Sequence, residues 1–101
     1  MSVIVIARFT VADLDQAIRT LADFGDLLDE VTEDAKGLGC IHHQFMAGDG
    51  ELVVLDEWGS AEEFMAFFDG NTKVMQISAA AGAAGPPRVE VYGTVKATGT
   101  F

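Results

Sequence analysis

Two adjacent histidines, His42 and His43, are the side chains of this sequence best suited to moving a proton near neutral pH. They fall in a run, Cys40 to Ala47, that reads as a β-strand. Neighbours on a strand point to opposite faces, so the pair cannot chelate one ion together, and only one of them can face a given pocket. A histidine turned into an apolar pocket is a candidate general base. A hydrogen-bonded core or interface histidine is the plainer alternative. Arg8 and Arg88 also lie in predicted strands. Either could stabilise an enolate or phenolate oxygen, and Tyr92 could donate a hydrogen bond to the same oxygen. Structural pairing of the arginines with Glu57 or Glu90 is the alternative for them. The catalytic candidates are therefore His42, His43, Arg8 and Tyr92.

A second set of residues could shape a pocket for a flat ligand. Phe9, Trp58, Phe64, Phe67 and Met75 are the substrate-binding candidates, because aromatic and methionine side chains line adaptable apolar sites. The same residues could equally be core. Several signatures are missing. There is no glycine-rich phosphate loop, no Gly-x-Ser-x-Gly turn, and no His-x-x-x-His or Cys-x-x-Cys spacing. No cofactor and no metal are expected.

These residues have to be positioned by a chain of 101 residues, which is the length of one domain. Half the residues are hydrophobic, which excludes disorder as the default. The 16 acidic and 6 basic side chains give a net charge of −10, so the chain should repel nucleic acid and anionic membrane surfaces. Cys40 is the only cysteine, which suits a reducing compartment. The first residues carry no basic lead and too short an apolar run for a signal peptide, so a cytoplasmic protein is expected.

Four strands and two helical regions follow from the pattern. Val3 to Phe9 is β-branched and aromatic. Asp13, with Gln16 three residues on, caps one long helix in which Leu14, Ile18, Leu21, Phe24, Leu28 and Val31 share a face. Gly37 and Gly39 end it. Cys40 to Ala47, a Gly48-Asp49-Gly50 turn and Leu52 to Trp58 form a hairpin. A helix starts near Ala61, breaks at Asp69-Gly70-Asn71 and resumes around Val74. Arg88 to Val95 alternates as a fourth strand. The order β-α-β-β-α-β is ferredoxin-like, an α+β fold with a four-stranded antiparallel sheet. Both sides of the first and third strands are apolar: Val3, Val5 and Phe9 against Ile4 and Ile6, and Leu52 and Val54 against Val53 and Leu55. The sheet face without helices should thus be covered by the same face of a second copy, making a homodimer.

The centre of the chain is its most specific stretch. Leu52 to Asp56 runs into Glu57-Trp58, and Ser60 with Glu63 stands at capping-box spacing immediately after. Together with Ile-Ala-Arg-Phe-Thr in strand one and the Gly-Leu-Gly-Cys lead-in to strand two, this block resembles the antibiotic biosynthesis monooxygenase family. The resemblance spans about residues 2–95. It implies a dimeric α+β barrel and, in one branch, cofactor-free oxidation of small aromatic, quinol or polyketide-type molecules with dioxygen. A haem-degrading branch uses an Asn, a Trp and a His at positions that here hold Ala7, Phe67 and Ile77, so haem degradation is disfavoured. Many relatives also carry a histidine near the position of Phe67.

The expected function is a cofactor-independent monooxygenase acting on a small hydrophobic aromatic ligand. A polyketide cyclase or isomerase using the same base, or a non-catalytic ligand-binding or stress-related dimer, are the alternatives.

Overall fold

The computed structural model of the chain describes residues 2–101. Strand β1 spans Val3–Thr10, followed by helices α1 (Leu14–Asp23) and α2 (Gly25–Leu38). Strands β2 (Cys40–Gly48) and β3 (Glu51–Trp58) form the hairpin, α3 (Ala61–Phe68) and α4 (Thr72–Ala80) make the second helical region, and β4 (Arg88–Gly93) closes the sheet. All neighbouring strands are antiparallel, in the order β2-β3-β1-β4. This is the expected ferredoxin-like α+β architecture, with each helical connection divided in two.

Side-chain caps set the helix starts. The Asp13 carboxylate accepts from the Gln16 amide at 3.1 Å, Ser60 Oγ from the Glu63 amide at 3.1 Å, and Asn71 Oδ1 from the Val74 amide at 3.0 Å. Gly39 ends α2 with φ 117°, a left-handed conformation open to glycine. A Cβ there would meet the Glu63 carboxylate, which can swing aside, so it is the backbone conformation that calls for glycine. The Glu63 side chain links the α2–β2 junction to the start of α3.

The first helical region departs from the expected single helix. It bends at Phe24, whose φ of −99° and ψ of 24° are not helical. The apolar face continues through the bend, which is why periodicity does not reveal it. The bend lets α1 bury Ala17 and Thr20 while α2 buries Ala35 some distance along the sheet. Strand β4 also stops at Gly93, short of Val95. Gly93 pairs with Val3, and among the described residues only the Ser2 carbonyl lies beyond it to accept from the Thr94 amide. Val95 lies past the paired residues and is exposed.

The helices cover one sheet face, burying Val5, Ala7 and Phe9 of β1 and Leu52, Asp56 and Trp58 of β3. The packed residues fall into two clusters. One gathers Ala7, Phe9, Val11, Ala17, Leu52 and Ala81, and the other gathers Val5, Ala35, Trp58, Phe64 and Phe67. A domain of this size ordinarily packs one continuous core. The opposite face aligns Ile4, Ile6 and Arg8 of β1 with Glu57, Leu55 and Val53 of β3. No helix among the described residues is long and apolar enough to cross a membrane.

Candidate active site

The core is divided because a cavity of about 460 Å³ lies between the sheet and the helices. Its floor is Ala7 and Phe9 of β1, Leu52, Val54 and Asp56 of β3, and His43 and Phe45 of β2. Its roof comes from Leu28, Val31 and Ala35 of α2, Phe64 and Phe67 of α3, and Ile77 of α4. Such a volume is within the range of pockets that enclose small organic ligands.

One polar group is built into this apolar surround. His43 pairs in register with Asp56 across the β2–β3 ladder, and its Nδ1 lies 2.5 Å from Asp56 Oδ1. Asp56 is 5% exposed. Its second oxygen, Oδ2, accepts a hydrogen bond from Trp58 Nε1 at 3.2 Å. A carboxylate only accepts, so the proton of the shared bond sits on Nδ1, and in the neutral imidazole Nε2 is left as an acceptor. Phe45 holds the ring edge-to-face at a centroid distance of 4.8 Å. The His43 side chain remains 36% exposed, at the rim of the cavity. A histidine oriented by a buried carboxylate beside an apolar pocket is the arrangement a general base requires.

The remaining polar side chains of the lining are committed elsewhere. Thr32 Oγ1 donates to the Leu28 carbonyl and Ser78 Oγ to the Val74 carbonyl, each at 2.9 Å. Cys40 Sγ donates to the His42 carbonyl at 3.3 Å. Burial, and then the negative charge of Asp56, push its thiol up to about 11. Among the described residues no group of three or more His, Cys, Asp or Glu is placed to hold a metal ion.

The structure separates the sequence candidates. Of the two histidines, His43 faces Asp56 on the helix side. His42 pairs with Glu57 on the far face, and its Nε2 meets Gln44 Oε1 at 2.7 Å. A register shift between Cys40 and His42 sets which one turns inward. Phe9, Phe64 and Phe67 line the cavity. Trp58, fully buried, stands behind them, with ring centroids 5.8 Å from Phe64 and 5.3 Å from Phe67. Met75 instead borders an adjoining hollow beside Pro86 and Pro87, which shares Phe9 and Ser78 with the cavity, and is 58% exposed.

Arg8 and Tyr92 are not brought to the cavity. They occupy the opposite sheet face, where Arg8 Nε donates to Glu90 at 2.8 Å and Nη1 to Glu51 at 3.3 Å. Tyr92 Oη donates to the other Glu90 oxygen at 2.8 Å. Alternation along β1 explains this, since Ala7 and Phe9 point inward and Arg8 cannot. Hydrogen bonds from Arg8 and then Tyr92 hold the Glu90 carboxyl below its ordinary value, and the bond to Glu90 raises both partners. The residue that sequence reading missed is Asp56. It looked like the end of an apolar strand, and only the pairing with His43 marks it.

No protein-family model and no curated protein matches the chain. Solved structures do. A monooxygenase from the ActVA-Orf6 gene of Streptomyces coelicolor, in complex with nanaomycin D, is 16% identical, with 95% of this chain and 89% of that chain aligned at a TM-score of 0.70. A candidate antibiotic biosynthesis monooxygenase from Caulobacter crescentus is 23% identical over 94% of this chain and 91% of that chain, with a TM-score of 0.67. SnoaB, a cofactor-independent oxygenase from Streptomyces nogalater, is 14% identical over 98% of both chains, with a TM-score of 0.62. At these identities the likeness is one of fold, and the chain therefore has the ferredoxin-like α+β fold shared by these antibiotic biosynthesis monooxygenase structures.

Proposed function

We propose that the cavity binds a small aromatic molecule and that His43 removes its acidic proton. The observation that carries this reading is the hydrogen bond from His43 Nδ1 to the buried Asp56 carboxylate at the wall of an otherwise apolar cavity. Asp56 orients the ring and stabilises the imidazolium that forms. The resulting anion is electron-rich, and the apolar surround leaves its charge poorly solvated, which favours electron transfer to an acceptor. The fold shared with a cofactor-independent oxygenase supports dioxygen as that acceptor. With a phenol, or an anthrone in its enol form, the proton removed is that of the hydroxyl, and the ring carbon opposite it would exchange its hydrogen for a carbonyl oxygen, one atom of dioxygen being kept and the other leaving as water.

Oxygen uptake with a panel of anthrones and quinols tests the reading. Wild type should consume oxygen with at least one of them, and His43→Ala should lose about a hundredfold or more in kcat/KM. Turnover that survives His43→Ala would rule out His43 as the base. Substrate rearrangement without oxygen uptake would favour an isomerase on the same site.

The working unit proposed is a homodimer packed through the helix-free sheet face, in the cytoplasm, where the unpaired Cys40 thiol is stable. Ile4, Ile6 and Leu55 are only half-buried on that face, and a second copy would remove them from water.

A further inference from the structure

Apart from His43, the polar side chains of the cavity wall are either hydrogen-bonded within the fold or turned outward. Thr32, Ser78 and Cys40 direct their protons at backbone carbonyls. Both oxygens of Asp56 are engaged, one by His43 and the other by Trp58. Lys36 borders the cavity, but its side chain is 65% exposed, and its ammonium lies 4.0 Å from Glu33. Arg8 and Arg88 sit on the other sheet face. His42 also borders the cavity, but it pairs with Glu57 on the far sheet face, where its Nε2 meets Gln44. On the helix side this leaves Nε2 of His43 as the unpartnered polar side-chain atom among the described residues, and its character is set by what Asp56 does to the other ring nitrogen.

We infer that Asp56 is the specificity-determining residue of the cavity: by holding the proton on Nδ1 it leaves His43 a bare acceptor, so the site selects an uncharged aromatic carrying one hydroxyl donor and rejects carboxylate-bearing ones. The inference rests on reading the cavity as a ligand site with His43 at its polar edge. A hydroxyl proton meets the Nε2 lone pair directly. An ether or ketone oxygen at the same place meets another lone pair. A carboxylate meets that lone pair, the negative charge of Asp56 behind it and a chain of net charge −10, with no donor inside to receive it. The ligand enters neutral, and any charge arises only after proton transfer to His43.

The substitution Asp56→Asn reverses this logic without changing shape. Trp58 Nε1–H still donates, and it selects the Asn carbonyl oxygen as its acceptor. The Asn NH2 group then faces His43 and donates to Nδ1, which moves the ring proton to Nε2. The wall now offers a donor where it offered an acceptor.

The test is calorimetric titration of the full chain with 1-naphthol, 1-methoxynaphthalene and 1-naphthoate, which share one ring system. Wild type should bind the naphthol about tenfold tighter than the ether and tighter still than the carboxylate. In Asp56→Asn the naphthol should lose that advantage, and the naphthoate should gain about tenfold. Naphthoate binding to wild type as tightly as naphthol, or an unchanged ranking in Asp56→Asn, would overturn the inference. If Asp56→Asn does not fold, nitrogen spectra of the wild-type imidazole decide, because a neutral His43 protonated on Nε2 also overturns it. Binding of none of the three would remove both this inference and the ligand site beneath it. The expected ranking without oxygen consumption by any substrate would leave the inference standing and remove only the oxygenase reading.

Discussion

His43 and Asp56 face each other across the β2–β3 ladder, and Asp56 also receives the indole N–H of Trp58. One buried carboxylate therefore satisfies two side chains, one at the cavity rim and one fully enclosed. The two ends of this chain of bonds should respond differently to truncation.

Asp56→Ala strands the Trp58 indole N–H without an acceptor at a site with no exposure. An unsatisfied buried donor costs about 1–3 kcal/mol, and loss of the bond to His43 adds to it. His43→Ala frees Asp56 Oδ1, but the truncated side chain is one-third exposed and its removal opens the rim to water that can replace the bond, so about 1 kcal/mol is expected. Urea denaturation should rank Asp56→Ala clearly below His43→Ala. Equal midpoints would mean that the indole bond adds no more to folding than water can replace at Asp56 when His43 is removed.

How much of this was legible in the sequence depends on whether the cause is local. The caps at Asp13 and Ser60 were readable because each acts within four residues. The inward turn of His43 was not, because it depends on a register shift near Ile41 that only the pairing with β3 reveals. The bend at Phe24 was hidden because apolar spacing continues through it. Arg8 and Tyr92 looked like oxyanion partners for want of one fact, namely which strand face the helices cover. Once Ala7 and Phe9 point inward, Arg8 must point outward to Glu90.

The cavity predicts opposite outcomes for two alanines. Ala35 lines it, whereas Ala17 is completely buried among Ala7, Phe9 and Leu52 and does not. Ala35→Leu places its added methyl groups in empty space on a helix, so stability should stay within about 1 kcal/mol of wild type. Aromatic ligand binding should fall at least about tenfold as the space is lost. Ala17→Leu overpacks a filled core and should cost about 1–3 kcal/mol while the cavity keeps its shape. Thermal melts with and without 1-naphthol measure both effects. A ligand-induced rise in Tm that persists in Ala35→Leu would place the ligand elsewhere.

The helix-free sheet face makes a separate prediction about assembly. Ile6 lies in the middle of it, flanked by Leu55 on one side and Glu90 on the other. Ile6→Glu puts a second carboxylate beside Glu90 and charges the apolar stripe that a second copy would cover. Sedimentation should show a dimer for wild type and a monomer for Ile6→Glu, since an uncompensated charge in an interface centre costs several kcal/mol. A monomeric wild type would remove the sheet-packed dimer from the proposal.

Cys40 gives a pH dependence whose sign is fixed. Burial and the nearby Asp56 charge move its thiol from the ordinary value of 9.0 to about 11 in the folded chain. The folded state thus favours the neutral thiol more strongly than the unfolded state does. The stability this contributes is complete below about pH 9 and is lost progressively as pH rises from about 9 towards about 11. The comparison is with Cys40→Ser, which lacks the thiol and keeps every other titrating group. The urea midpoint of wild type should fall more steeply across that window than that of Cys40→Ser. Alkylation provides the direct readout, because only the thiolate reacts. In the folded chain the alkylation rate should rise with a midpoint near pH 11, and in urea that midpoint should drop to about 9. A folded-state midpoint already at 9 would mean that neither burial nor the Asp56 charge acts on Cys40, and the account of a dry, acid-walled cavity would lose one of its supports.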